Sequence, residues 1–518
     1  MATIYPLIAA FALTFAVAEA AETSEPTWLS SAQTTASQVS RHLERHWQEQ
    51  RLTPSRPVDD LQLLRRAWLD LAGRVPTLVE LDHARIDTRP ERRQAWLVEL
   101  IESPEFALHF GRVLDAWIQG NHAGDERFLS WLRQALEQRR TWDAIFRQVL
   151  VPGTDTDDGK LAARFLTKRV KSIDQLTSDT ARVFFGVDIT CARCHDHPLV
   201  DEWKQDHYYG LAAFLHRATE QGKNSGVVID KSEGEVTFAR RTGQQQTASL
   251  MFLSGRQIES EAKQNRRELL VSTALAEQRF LSRAAANRVW AWFFGRGLIH
   301  PVDQMHVANS AAIPAVLDTL AEGFVASGYD LRQLVGAIVL SRAYERSSRL
   351  EHGDVPPESF AAYRLKPLTP WQWSLSFTTV AGSVPEAMNL ASRDRRESYL
   401  EHEKSAAEFV AHVDPAGEHF QSSLYQATTV EALYLAHHPA LQQRLEPVAG
   451  NLAARLAALP SLDARASLAW RTILGREPTV SERKSIESYW SKDAATDAQR
   501  IAALIWSLVT SSEFRFNH

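Results

Sequence analysis

Arg65-Arg66-Ala67-Trp68-Leu69-Asp70-Leu71-Ala72-Gly73-Arg74-Val75-Pro76-Thr77-Leu78-Val79-Glu80 reads as one helix ending and another beginning. Apolar residues recur at three-to-four spacing as far as Ala72. Gly73 supplies the residue that closes a helix, and Thr77-x-x-Glu80 is a capping box. The pattern returns near the C-terminus, where Ala469-Trp470, Gly475-Arg476, Pro478-Thr479 and Glu482 keep the same spacing. Each copy leads into a Leu-rich helical stretch and a short cap, Ser103-Pro104-Glu105-Phe106 in one and Ser511-Ser512-Glu513-Phe514 in the other. A duplicated module and a common helix-turn-helix solution reached twice both explain the echo. Either way it concerns architecture, because caps and Trp anchors carry no chemistry.

Working outward, residues Asp59 to Leu71, Arg92 to Glu102, Arg127 to Leu136 and Phe280 to Phe294 show the same helical spacing. Strand signal is scarce. Val227-Val228-Ile229-Asp230 and Glu235-Val236-Thr237-Phe238, on either side of Lys231-Ser232-Glu233-Gly234, suggest a hairpin. It falls in a polar, Gln/Ser/Gly-rich stretch. A second interruption, about 351–370, carries Pro356, Pro357, Pro367 and Pro370. The expected fold is mainly α, two helical domains with a small β-hairpin insertion between them. The boundaries are 30–219 for the first domain, 220–264 for the insertion and 265–518 for the second domain.

The chain has 518 residues, 58 Lys+Arg against 63 Asp+Glu, and a net charge of −5. That balance argues against nucleic acid as the main partner. Past the N-terminus no apolar run reaches the length of a membrane span. Ile4 to Val17 is apolar and precedes Ala18-Glu19-Ala20, a small-x-small cleavage pattern, so residues 1–20 read as a signal peptide. The mature chain is expected to be periplasmic or extracellular, with no transmembrane span once the signal is removed.

Only two cysteines are present, and both lie in Cys191-Ala192-Arg193-Cys194-His195-Asp196-His197. Cys-x-x-Cys-His is the attachment pattern of c-type haem. Cysteines three apart on one turn face the same side, where their thiols can add to two vinyl groups, and the next residue, His195, serves as the proximal iron ligand. Tyr208, Tyr209, Phe214 and Leu215 offer an aromatic and apolar lining. Two other readings stay open. Cys191, Cys194, His195, His197 and His207 contain the donors for zinc or another transition metal. Cys191 and Cys194 also suit a disulfide or dithiol in an oxidising compartment. For the distal haem position the candidates are Met305, His207, His216, Met251 and His306.

Other patterns carry less. His42 and His46 are spaced as metal ligands but suit a solvated helix face, and Trp290-Ala291-Trp292-Phe293-Phe294 reads as core ahead of a stacking platform. There is no phosphate-cradling loop with Lys, no His-Glu-x-x-His signature and no nucleophile elbow.

The chain resembles a large secreted family of planctomycetes and their relatives. Its members join a cytochrome-like domain of unknown function (1549) to a second domain of unknown function (1553). The first domain is matched by Arg65 to Thr77, by Cys191 to Pro198, and by Trp203, Tyr208-Tyr209 and Leu211-Ala212-Ala213-Phe214. The second is matched by Asn287-Arg288-Val289-Trp290, Phe294-Gly295-Arg296-Gly297-Leu298, Pro301-Val302-Asp303, Gly328-Tyr329-Asp330-Leu331 and Ser341-Arg342-Ala343-Tyr344. His207 stands where the family usually has an acidic residue, and the loop after Met305 lacks its paired prolines. The resemblance implies a cytochrome-like first domain and a secreted companion protein as partner. The expected function is that of an exported monohaem c-type cytochrome-like protein in extracytoplasmic electron transfer, with a redox partner. A haem- or metal-dependent oxidoreductase, or a non-catalytic secreted scaffold held by a structural metal, are the alternatives.

Overall fold

The computed structural model describes residues 25–518 apart from 197–199, 223–224, 241, 262–263, 352, 383–393, 414–428 and 493–494. The expected signal peptide and His197 lie outside the described residues. The chain is mainly α-helical, with three small two-stranded sheets among the described residues.

The opening stretch folds as its caps dictate. A helix Asp60–Ala67 runs into a π-helical turn Trp68–Ala72, and Gly73 ends it at φ +75°. The helix Leu78–Ile86 then starts with Thr77 Oγ1 accepting the Glu80 N–H at 3.3 Å and Glu80 Oε2 accepting the Thr77 N–H at 2.7 Å. In the second copy Leu462–Leu474 ends at Gly475, φ +67°, and Thr479 and Glu482 cap Val480–Trp490 reciprocally.

The echo extends to side chains. Arg74 donates twice to Glu80 at 2.8 Å, and Arg476 donates twice to Glu482 at 2.9 and 2.7 Å. The later caps each add a second carboxylate: Glu105 lies 3.8 Å from Arg74, and Glu513 accepts from Arg476 at 2.6 and 2.7 Å. Even the cap serines match. Ser103 Oγ bonds the Leu100 carbonyl and accepts the Phe106 N–H, as Ser511 Oγ does with Leu508 and Phe514.

Two hydrophobic cores organise the helices. The larger collects residues from Trp28 to Tyr363 and crosses position 265, the boundary expected between the helical domains. It does so because Leu29–Glu49 packs on Pro314–Ala326 and Leu331–Val339, placing Trp28 over Gly336 and Thr35 over Gly323. A β-carbon at either glycine would meet those side chains within 2.6 Å. The smaller core gathers residues 368–514 together with Leu69 and Val75 of the first module. The C-terminal strand Phe516–Asn517 pairs antiparallel with Lys366–Pro367.

One buried carboxylate fastens these parts. Asp70, fully buried, accepts from Tyr344 and Tyr363 hydroxyls at 3.0 and 3.2 Å, from Lys366 Nζ at 2.7 Å and from Asn517 Nδ2 at 2.8 Å. Four segments remote in sequence thus meet on one charge, which a buried carboxylate requires of its surroundings.

Both strand runs expected in the insertion are strands, but they do not pair with each other. Val228–Asp230 turns back onto Ala218–Glu220, and Thr237–Ala239 pairs forward with Gln245–Thr247 across a turn at Gly243, φ +82°. The expected turn, 231–234, is instead the connection between the two ribbons. Its Lys231 N–H is held by the Arg217 carbonyl at 2.8 Å.

Candidate functional site

The Cys motif follows the helix Ile173–Phe185, closed by Gly186 at φ +67°. Val187 to Ile189 then form a short link. The loop after the helix Arg279–Phe294 is zipped onto that link. The Asp188 N–H donates to the Asp303 carbonyl at 2.7 Å, and the Met305 N–H donates to the Gly186 carbonyl at 3.0 Å. Val187 and Gln304 bridge between them. The motif thus starts from an anchored base.

Cys191 and Cys194 lie on and immediately after a 3₁₀ turn, Thr190–Arg193, whose Ala192 points into the core. Both thiols are exposed and free. His195, also exposed, places Nδ1 2.7 Å from the Asp196 carbonyl. That geometry suits an Nδ1–H donor and leaves Nε2 with its lone pair, the arrangement of a metal-ligating imidazole with an oriented second nitrogen.

Polar contacts fix the motif's flanks. Arg193 donates to Asp174 at 2.7 Å, and its hydrogen bond to the Cys194 side chain, with Asp174 beside it, holds its pKa above the usual value. Asp174 also accepts from the Tyr208 hydroxyl at 2.6 Å. Burial, and then that bond, push Tyr208 well up. Gln205, first residue of the helix Gln205–Leu215, donates its side chain to the Cys194 carbonyl at 3.2 Å and its N–H to Asp196 at 3.0 Å.

The remaining candidates separate along that helix. His207 is in its first turn, Nδ1 accepting the Lys204 N–H at 3.2 Å, its ring edge-on to Trp203 at 5.7 Å. Burial lowers its pKa. His216 is the residue after the last turn, roughly 13 Å of helix rise away, beside Arg217, Lys231 and Arg266, with its pKa also lowered by burial and by those charges. Met251 lies against Gly210, midway along. Met305 is buried, its sulfur packed over Gly186. His306, partly buried, follows it in a turn closed by the Asn309 N–H. Of the distal candidates, His207 is therefore the one at the motif end of the Gln205–Leu215 helix.

Of the lining expected for a porphyrin, Tyr208 and Tyr209 stay beside the motif through Asp174 and the Arg193 carbonyl, while Phe214 and Leu215 turn away from it. Phe214 and Leu215 are fully buried in the main core, and Tyr209 stacks on Phe238 at 4.1 Å while donating to the Arg193 carbonyl at 2.8 Å. Helical periodicity identified these as apolar positions but not the face they occupy. No three His, Cys, Asp or Glu side chains converge as a metal site among the described residues; the expected non-haem set of Cys191, Cys194, His195, His197 and His207 includes His197, which lies outside them. The free thiols and the His195 tautomer fit a group joined at the surface of the chain. No helix among the described residues is long and apolar enough to cross a membrane.

Over residues 38–220 the chain matches PSCyt2, a protein of unknown function (DUF1549), and over residues 265–490 it matches PSD1, a protein of unknown function (DUF1553). Nothing among curated proteins or solved structures matches it. The two matches follow one another without overlap, and the chain belongs to the family that joins DUF1549 to DUF1553 in this order.

Proposed function

We propose that the chain is an exported c-type haem protein that transfers electrons outside the cytoplasm. Cys191 and Cys194 would attach the haem, and His195 would bind its iron. One observation carries this reading: two unpaired, exposed thiols, one on the Thr190–Arg193 turn and one just after it, are followed directly by an imidazole whose Nδ1 is already engaged by the Asp196 carbonyl. The rival readings ask for other partners: a disulfide joins the two thiols to each other, and a structural zinc site encloses four donors, with His197 among the candidates.

The haem, when bound, supplies one-electron chemistry at a potential set by its axial ligands and surroundings. The chain's own residues orient it. Gln205 holds the Cys194 carbonyl and the Asp196 carboxylate, Arg193 brings positive charge beside Cys194, and His207, at the motif end of the same helix, would be the second residue to hold the iron. The N-terminal pattern at residues 1–20 supports export, and a redox protein or secreted companion is the partner that follows.

The test is a pyridine haemochrome spectrum of the mature chain, made alongside a haem-attachment system and washed with acidified acetone. A c-type spectrum that survives the wash is expected. Colourless protein carrying one zinc per chain contradicts the proposal and favours the metal scaffold.

A further inference from the structure

A cavity of about 430 Å³ lies away from the Cys motif. It opens between the end of the helix Arg279–Phe294, the loop 300–303 and the segment 364–370. That volume suits a small organic ligand. Its lining interleaves two chemistries. Trp117, Trp292, Trp373, Val302 and Leu368 are apolar or aromatic; Arg288, Lys366 and Arg515 lie over the Trp117, Trp292 and Trp373 rings at 5.6, 5.6 and 4.9 Å, and Arg296 and Arg364 complete the basic set.

Charge is not balanced across these walls. Lys366 is neutralised by Asp70 at 2.7 Å, and Arg515 by Glu431. The lining's one carboxylate, Asp303, stands 3.9 Å from Arg182. Arg288 donates to the Arg182 carbonyl at 2.6 Å, yet its Nε is buried without a hydrogen-bond partner. Burial brings its pKa down to about 10. The Arg296 Nε is likewise buried and unpartnered, and neither Arg296 nor Arg364 pairs with a carboxylate among the described residues. Trp373, 1% exposed, leaves its indole N–H without an acceptor in the same wall. Unmatched buried donors of this kind cost free energy unless something accepts from them.

We infer that this cavity binds an organic oxyanion carried on a ring, as a carboxylate, a sulfate ester or a phosphate ester. The oxyanion takes the Arg288, Arg296 and Arg364 donors, and the ring's apolar face lies on the indoles. The site is independent of what the cysteines carry. Its position is still informative, because the wall residues 300–303 continue into Gln304 and Met305, which pair with the link leading to Cys191. A ligand here rests on the loop that anchors the motif.

Isothermal calorimetry on the mature full-length chain tests this. The probes are glucuronate, glucose 6-sulfate, glucose 6-phosphate and benzoate, with inorganic sulfate and glucose as controls. One of the ring-bearing anions is expected to bind one to one, at least about tenfold tighter than both controls, and to weaken as salt rises. The double substitution Arg296→Gln with Arg364→Gln should weaken it by about tenfold or more. Both side chains lack carboxylate partners, so the unfolding temperature should stay put. Arg364→Gln alone, at an exposed position, gives the same readout if the pair misfolds. Ring-bearing anions that bind no better than the controls, or binding that neither variant weakens, overturns the site. The identity of the tightest probe separates carboxylate from sulfate and phosphate esters.

Discussion

Arg74 and Glu80 face each other through two hydrogen bonds of 2.8 Å, both side chains closed off from solvent. Burial alone would raise the Glu80 pKa, but the Arg74 charge and hydrogen bonds outweigh it and hold the carboxyl below its usual range. Arg476 and Glu482 repeat the pair with Glu482 partly open to water. Glu80→Gln leaves a buried guanidinium short of its counter-charge and should cost about 3–5 kcal/mol. Glu482→Gln should cost roughly 1 kcal/mol, because solvent screens the pair. Urea unfolding of both variants checks the contrast, and equal losses would mean that the two modules are held alike.

Gly73 shows why the first module tolerates no side chain at its turn. Its φ is +75°, and an added β-carbon would lie 2.4 Å from the His109 ring. Gly328, at φ +70°, has nothing within 4 Å. Gly73→Ala combines backbone strain with a clash and should cost about 3 kcal/mol, against about 1 kcal/mol for Gly328→Ala. Thermal unfolding of the two variants ranks them.

His109, 4% exposed, is kept neutral by burial and by the nearby Arg112, its pKa brought down to about 3. The unfolded chain takes up a proton near pH 6.5, and the folded chain does not until far lower. Acidification therefore favours unfolding, and this group's contribution is lost as pH falls from about 6.5 towards 3. Between pH 6.5 and 5 the loss is about 2 kcal/mol. His109→Leu should flatten the stability–pH curve across that window. An unchanged slope would show that other groups set it.

The helices, the capping boxes and the echo between modules were legible because each is written locally, in caps and spacing. Thr77 with Glu80 needs only four residues to be recognised. Asp70 was not legible as a hub, since Tyr344, Tyr363, Lys366 and Asn517 reach it from far along the chain. The ribbon pairings were missed for the same reason: periodicity marks a strand and leaves its partner open. Trp290, Phe293 and Phe294 are core as expected, whereas Trp292 lines the cavity, a difference of face within one helix. Cys191, Cys194 and His195 stand out in the sequence because their pattern is one of spacing alone, and the structure keeps all three exposed. The basic cavity wall had no local signature, with Arg288, Arg296 and Arg364 brought together only by folding.

Because Cys191 and Cys194 are exposed and contribute nothing to either core, replacing them should leave the unloaded chain intact. Cys191→Ser is expected to shift its stability by no more than about 0.5 kcal/mol. A large loss in metal-free protein would instead mark the cysteines as a structural staple.

Intact mass spectrometry of the denatured mature chain, made with a haem-attachment system, addresses the attachment itself. The expected result is one haem mass per chain, with neither cysteine open to alkylation, and no haem retained when Cys191→Ser and Cys194→Ser are combined. A chain at its unmodified mass with both thiols alkylated would contradict the assignment of Cys191, Cys194 and His195 as a haem site.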